Sequence, residues 1–204
     1  MSGKTLPFAL AVLLSLGAIA AALLHTPVAA EQALLAARWT ARVAVPVFLV
    51  VYLAKPLLRL WPSQTMRELL RYRRQWGLAF ALSMTIHLGA LLVNILVFQP
   101  RGLGEIAAGI VAYAMIYIMA ATSNDRSVKR MGRWWRYIHR AGLHYIWLIF
   151  FGSRLQRAIG EDPAYHASAL IMAIVLLVAL LIRLAAWFKE YRKRRDTTDR
   201  PIVT

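Results

Sequence analysis

Three histidines stand inside stretches that are otherwise apolar, and they are the side chains of this sequence best able to do chemistry. His87 lies in the middle of residues 76–98, and His139 and His144 lie in WWRYIHRAGLHYIWLIFFGSR, residues 134–154. An imidazole inside hydrocarbon is costly to leave unpaired, so an intramembrane histidine marks a functional site by default. Neutral imidazole is the commonest protein ligand for metals, and axial imidazoles hold the iron of haem in electron-transfer cytochromes. The expectation is that helices from different parts of the chain bring these histidines together to hold a haem. His25 and His166 fall at the ends of apolar runs, where placement at the membrane interface accounts for them.

Two axial ligands must come from neighbouring helices and sit at similar depth. The runs carrying His87 and His139/His144 both start behind arginines, so depth can be counted from those edges. His87 is 13 residues past Arg74, roughly 20 Å along a helix axis. His144 is 11 residues past Arg133, roughly 16 Å, and His139 is only 6 past it, roughly 9 Å. Depth alone pairs His87 with His144 rather than His139. Tilt closes gaps of several ångströms, so His139 stays open as the partner.

The elements that must position these groups are membrane helices. The chain has 204 residues, 60% of them hydrophobic, and only 17% are charged, against about 25% in a soluble domain. The apolar residues gather into runs at about 6–24, 41–60, 76–98, 105–122, 134–151 and 166–188, each about long enough to span a bilayer. The expected fold is an all-α integral membrane protein, a six-transmembrane-helix bundle forming a single domain over 1–204, with residues 189–204 as a basic tail. The first run is read as a retained helix rather than a leader cleaved at Val28-Ala29-Ala30. Pro46 and Pro56 are expected to kink or end the second helix. SQTMRELLRYRR reads as a short interfacial amphipathic helix. Small residues in the fourth run (Ala107, Ala108, Gly109, Ala112, Ala114) suit close helix packing.

The formal charge is +16, which invites a nucleic-acid reading, but the basic residues cluster at the ends of apolar runs. The loops at 55–75 and 123–133 and the tail are the heavily basic segments, whereas the charges of Arg154, Arg157, Glu161 and Asp162, just ahead of Pro163, roughly balance. In a six-span chain the three basic segments share one side, which the positive-inside rule assigns to the cytoplasm. Both termini are then expected to be cytoplasmic, and nucleic acid is excluded as a partner in favour of membrane lipid. The sequence has no cysteine. That removes disulfides, thiolate chemistry, Cys-held iron–sulfur clusters and covalent c-type haem.

Three stretches carry a resemblance: TARVAVPVFLVVYLAKPLLRL, RYRRQWGLAFALSMTIHLGALL and ATSNDRSVKRMGRWWRYIHRAG. With them the sequence resembles the ferric-reductase-like transmembrane family, which includes the haem-binding membrane subunit of bacterial methionine sulfoxide reductase systems. The match covers about residues 40–154. The resemblance implies a six-helix bundle that holds b-type haem and passes electrons across the membrane, and it maps family ligands onto His87 and His139. The family's second histidine, thirteen residues further along the later helix, is replaced by Gly152, and Arg73 stands where an earlier histidine of the first helix would be. One haem b is therefore expected, with His144 able to replace the missing ligand.

The chain carries no G-x-G-x-x-G loop and no room for a nicotinamide or flavin domain. Electrons must come from a separate donor, such as a flavin reductase or a quinol, with a flavin or quinone engaged at the cytoplasmic face. They leave to a partner reductase or an external acceptor, so the chain is the electron-transfer subunit of an oxidoreductase. Arg67, Arg71, Arg73, Arg74, Arg126, Lys129 and Arg130 are expected to dock an acidic partner, haem propionates or lipid headgroups. The alternative is a cofactor-free transporter or channel component. Proton-coupled transport usually needs carboxylates in the membrane, and here all nine fall in loops or at helix ends.

Overall fold

The structure is a computed structural model, and it describes residues 3–160 and 166–198. Six long helices are present: α1 (Leu6–His25), α2 (Ala29–Leu60), α4 (Arg73–Val93), α5 (Leu103–Ala121), α7 (Arg133–Ala158) and α8 (His166–Thr198). Two short ones, α3 (Gln64–Arg71) and α6 (Asp125–Met131), lead into α4 and α7. There is no strand among the described residues. Ser63 caps α3 through a bond from the Met66 amide, and Asn124 caps α6 through one from Ser127. Gly132 separates α6 from α7 with φ of 52°, a conformation that only glycine adopts without strain.

Among the described residues five helices are long and apolar enough to cross a membrane: α1, α2, α4 with the π-helical turn Asn94–Phe98 that follows it, α5 and α8. The protein is an all-helical integral membrane protein. The sixth long helix, α7, has 26 residues, which is length enough, but five of them are arginines and two are histidines. The helix that carries two of the candidate ligands is thus the one whose side chains oppose simple insertion.

The core forms around α2. It packs on α1, α4 and α8, and it contributes the largest fully buried side chains, Tyr52 and Phe48. Its start differs from the expected 41–60. The helix continues outward to Ala29 because the segment Ala29–Ala37 is rich in alanine, the best helix former. The turn back into α1 is only Thr26 to Val28, closed by Gln32 donating to the Leu23 and Thr26 carbonyls. Both prolines lie inside α2 without ending it. A buried pair, Ser15 and Ser83 at 3.0 Å, ties α1 to α4.

Two other expectations change. The last helix does not end at residue 188, since α8 runs helical to Thr198, with Lys189 and residues 191–195 exposed. The small residues of α5 do not serve packing within the chain, because apart from Ala112 most of them face outward. The close approach between α5 and α7 is instead at Gly142, where a Cβ would lie 2.7 Å from the Met119 sulfur. Glu161, Asp162 and Pro163 lie outside the described residues.

Candidate functional site

α2 is a ruler on which the three histidines can be read. His87 of α4 meets Thr40 of α2, with its Nδ1 3.0 Å from Thr40 Oγ1. His144 of α7 meets Tyr52 of α2, with its Nδ1 3.3 Å from the phenol oxygen. Thr40 and Tyr52 are twelve residues apart, roughly 18 Å of helix axis. Imidazole nitrogens sit about 2 Å from a bound metal, so two on one iron are about 4 Å apart. His87 and His144 therefore do not share a level, which corrects the pairing read from depth alone. The arginine edges used to count depth, Arg74 and Arg133, are both exposed, but each fixes only a position along its own helix and not where that helix sits against α2.

His139 points elsewhere again. Five residues before His144, it is rotated about 140° around α7. It faces α5, where its Nε2 is 3.0 Å from Thr122 Oγ1, and its ring stacks on Trp135 at 4.1 Å. No cluster of three or more His, Cys, Asp or Glu side chains able to hold a metal exists among the described residues. The histidines occupy three separate environments.

The tautomers follow from the threonines. Thr122 Oγ1 donates its single proton to the Ile118 carbonyl at 2.6 Å, so it accepts from His139 Nε2–H and leaves Nδ1 with a free lone pair. Thr40 Oγ1 donates to the Ala36 carbonyl at 2.6 Å, so it accepts from His87 Nδ1–H and leaves Nε2 with the lone pair. A second partner that fixes tautomer and ring orientation is what metal-ligating histidines normally have.

A cavity of about 320 Å³ opens beside His139, walled by Arg73, Arg74, Phe80, Trp135 and Leu143 among others. Such a volume falls within the range of small-molecule sites. The space exists because α7 packs closely on α5 and α8 but reaches α2 and α4 only through long side chains. Phe80, part of the cavity wall, continues into the buried core through Phe150 at 6.2 Å, which in turn meets Phe48 at 5.4 Å between ring centroids. Beyond it, on the His87 side, the Arg154 side chain is 4% exposed and its Nε has no hydrogen-bond partner.

Two arginines, one expected at the basic rim and one without an expected role, anchor on α2. Pro56 has no N–H, so the Tyr52 carbonyl four residues earlier has no donor in its own helix. Arg183 of α8 takes that carbonyl at 2.9 Å and lies 4.5 Å over the Tyr52 ring. Arg73 Nε takes the neighbouring Val51 carbonyl at 3.1 Å, which holds its guanidinium at the cavity wall. A signal was present in the sequence: an arginine alone within the apolar run of α8, and a proline four residues past a tyrosine.

The fold and site define a helical membrane protein with an imidazole-bearing, cation-flanked cavity inside the bundle. Comparison with known proteins gives the more particular likeness. The chain is similar to the protein-methionine-sulfoxide reductase heme-binding subunit MsrQ of Klebsiella pneumoniae (strain 342), with 25% identity over 171 residues covering 74% of this chain and 77% of that one. The subunit of the same name from Cronobacter sakazakii (strain ATCC BAA-894) is 27% identical over the same shares of the two chains. No family model matches the chain. No solved structure matches it.

Proposed function

We propose that the chain is a haem b-binding membrane subunit that carries electrons between a separate donor and a partner reductase or external acceptor. The observation that carries this reading is the His139 cavity. It combines an imidazole, two guanidiniums (Arg73, and Arg74 paired with Asp125 at 3.5 Å) able to meet propionate carboxylates, a polar edge of Ser123 and Asn124, and a remaining wall that is aromatic and aliphatic. This donor set fits one haem, and the relatives named as heme-binding subunits support the same group. Haem held there supplies one-electron transfer, with a potential set by the axial ligand and the hydrogen bonds around it.

The chain's own residues do the rest. Thr122 orients His139, the Val51 carbonyl orients Arg73, and Phe80, packed on Phe150, gives the cavity wall an apolar face. His144 faces the opposite side of α7 and His87 lies a dozen residues away along α2, so His139 is the single imidazole at the cavity. The wider reading keeps six membrane crossings, with α7 as the fifth, both termini in the cytoplasm and the bacterial inner membrane as location. The basic character of segments 55–75 and 123–133 supports it. The donor is then a flavin reductase or quinol at the cytoplasmic face.

The test is a pyridine haemochrome assay and reduced-minus-oxidised spectra of detergent-purified wild type, His139→Ala, His144→Ala and His87→Ala. Wild type is expected to carry about one haem per chain, lost in His139→Ala and kept in the other two. Loss in His87→Ala with retention in His139→Ala would move the haem beyond the phenylalanines to the Arg154 side and refute the cavity assignment. Wild type that stays colourless after haem is supplied would refute the haem reading altogether.

A further inference from the structure

On the side of α2 that faces α7 and α8, cations from four helices converge. Tyr52, Lys55 and Arg59 recur at the spacing of one α2 face, Arg140 and His144 share a face of α7, and Arg183 and Glu190 share a face of α8. Three contacts show that these faces meet: Tyr52 with His144, Arg183 with the Tyr52 ring and carbonyl, and Arg59 with Glu190 at 3.8 Å. Lys55 lies within electrostatic reach of Arg59, Arg73 and Arg140, and Arg183 within reach of Arg140 and Arg59. Four of these cations, Lys55, Arg59, Arg140 and Arg183, thus gather beside one carboxylate, Glu190, which is paired with Arg59. Like charges gathered this way in a poorly solvated crevice repel one another unless an anion joins them.

Ordinary snorkelling does not explain the arrangement, because snorkelling side chains diverge toward water from separate helix ends. Here Arg183 turns inward from the middle of α8 and its neighbours converge on it. Lys55 and Arg140 remain exposed and make no hydrogen bond or ion pair among the described residues. The crevice therefore opens outward, a few residues inside the helix ends, where headgroup phosphates lie. Basic pockets between membrane helices at this depth hold acidic lipid headgroups.

We propose that the crevice formed by Lys55, Arg59, Arg140 and Arg183 is a binding site for the phosphates of an anionic phospholipid, and that a two-phosphate headgroup offsets two of the three positive charges left once Glu190 is paired. Glu190 stays paired with Arg59 at the helix ends and sets the outer limit of the site, with Arg183 at its inner end. The site is independent of the haem reading, since none of these side chains lines the His139 cavity.

The experiment uses the full chain, delipidated in non-ionic detergent, titrated with cardiolipin, phosphatidylcholine or inorganic pyrophosphate and followed by native mass spectrometry and thermal unfolding. Cardiolipin is expected to stay bound and raise the unfolding midpoint, while phosphatidylcholine does neither. Lys55→Gln/Arg140→Gln should weaken cardiolipin binding about thirty-fold, taking the usual contribution of each basic side chain near acidic lipid. Arg133→Gln/Arg136→Gln removes the same charge from the exposed start of α7 and should leave binding unchanged. Equal loss in both double variants would mean diffuse surface attraction and overturn the site. Pyrophosphate matching cardiolipin would point to a soluble phosphate ligand and overturn the lipid assignment, and no cardiolipin binding by wild type would overturn the proposal outright.

Discussion

The bond between Arg183 and the Tyr52 carbonyl can be isolated, because its cause is a single residue. Pro56 removes the amide that would otherwise close this turn of α2, and the guanidinium of Arg183 supplies the missing donor at 2.9 Å. In wild type, Arg183→Leu removes that donor and also the contact with the Tyr52 ring at 4.5 Å. Interhelical hydrogen bonds in membranes are worth about 0.6 kcal/mol on average and up to about 1.7. A carbonyl left with no donor at all belongs at the upper end, and the cation–π contact adds about 0.5–2 kcal/mol. The expected destabilisation is about 2–3 kcal/mol. In a Pro56→Ala background the backbone amide restored by the substitution can bond the Tyr52 carbonyl within α2, so Arg183→Leu should lose only the ring contact. The difference, about 1–2 kcal/mol of coupling, appears in a double-mutant cycle because the ring contact is common to both arms. The assay is unfolding in detergent followed by tryptophan fluorescence and circular dichroism on the four proteins. Additive effects would refute the idea that Arg183 serves the carbonyl vacated by proline.

Three further outcomes are expected. Thr122→Val keeps the shape beside His139 but removes the oxygen that fixes its tautomer, so haem affinity should fall about 10–100-fold, read as haem retention through gel filtration. Retention equal to wild type would remove Thr122 from the site. Ser83→Ala leaves the buried Ser15 hydroxyl without its partner at 3.0 Å and should cost about 1 kcal/mol, whereas Ser15→Ala/Ser83→Ala should recover most of that in thermal unfolding. Reporter fusions at each terminus should give fluorescent green fluorescent protein and inactive alkaline phosphatase. An active phosphatase at either end would exclude the six-crossing orientation.

Much of the fold was legible because transfer into hydrocarbon is a property of composition in a short window. The runs at 6–24, 76–98 and 105–122 correspond closely to α1, α4 with its π-turn, and α5. Where the window criterion fails, the reason is local. Arg38 and Arg42 interrupt the apolar signal of α2, yet its alanines continue the helix through them to Ala29. The basic residues after 188 end the apolar run of α8 but not its backbone hydrogen bonding, since lysine and arginine are good helix formers.

The candidate site divides in the same way. The sequence determined that His87, His139 and His144 lie in largely apolar helical stretches without carboxylate partners, that no thiolate could serve in their place, and that basic residues crowd the helix ends. The tertiary structure alone decided that the three do not meet. Their levels depend on where α4 and α7 sit against α2, and their directions on helix rotation, and neither is encoded in distance from a basic edge. It also decided that Arg73 and Arg183 turn inward rather than toward headgroups. A guanidinium goes where a carbonyl is free, and only packing brings the carbonyls of Val51 and Tyr52 within its reach.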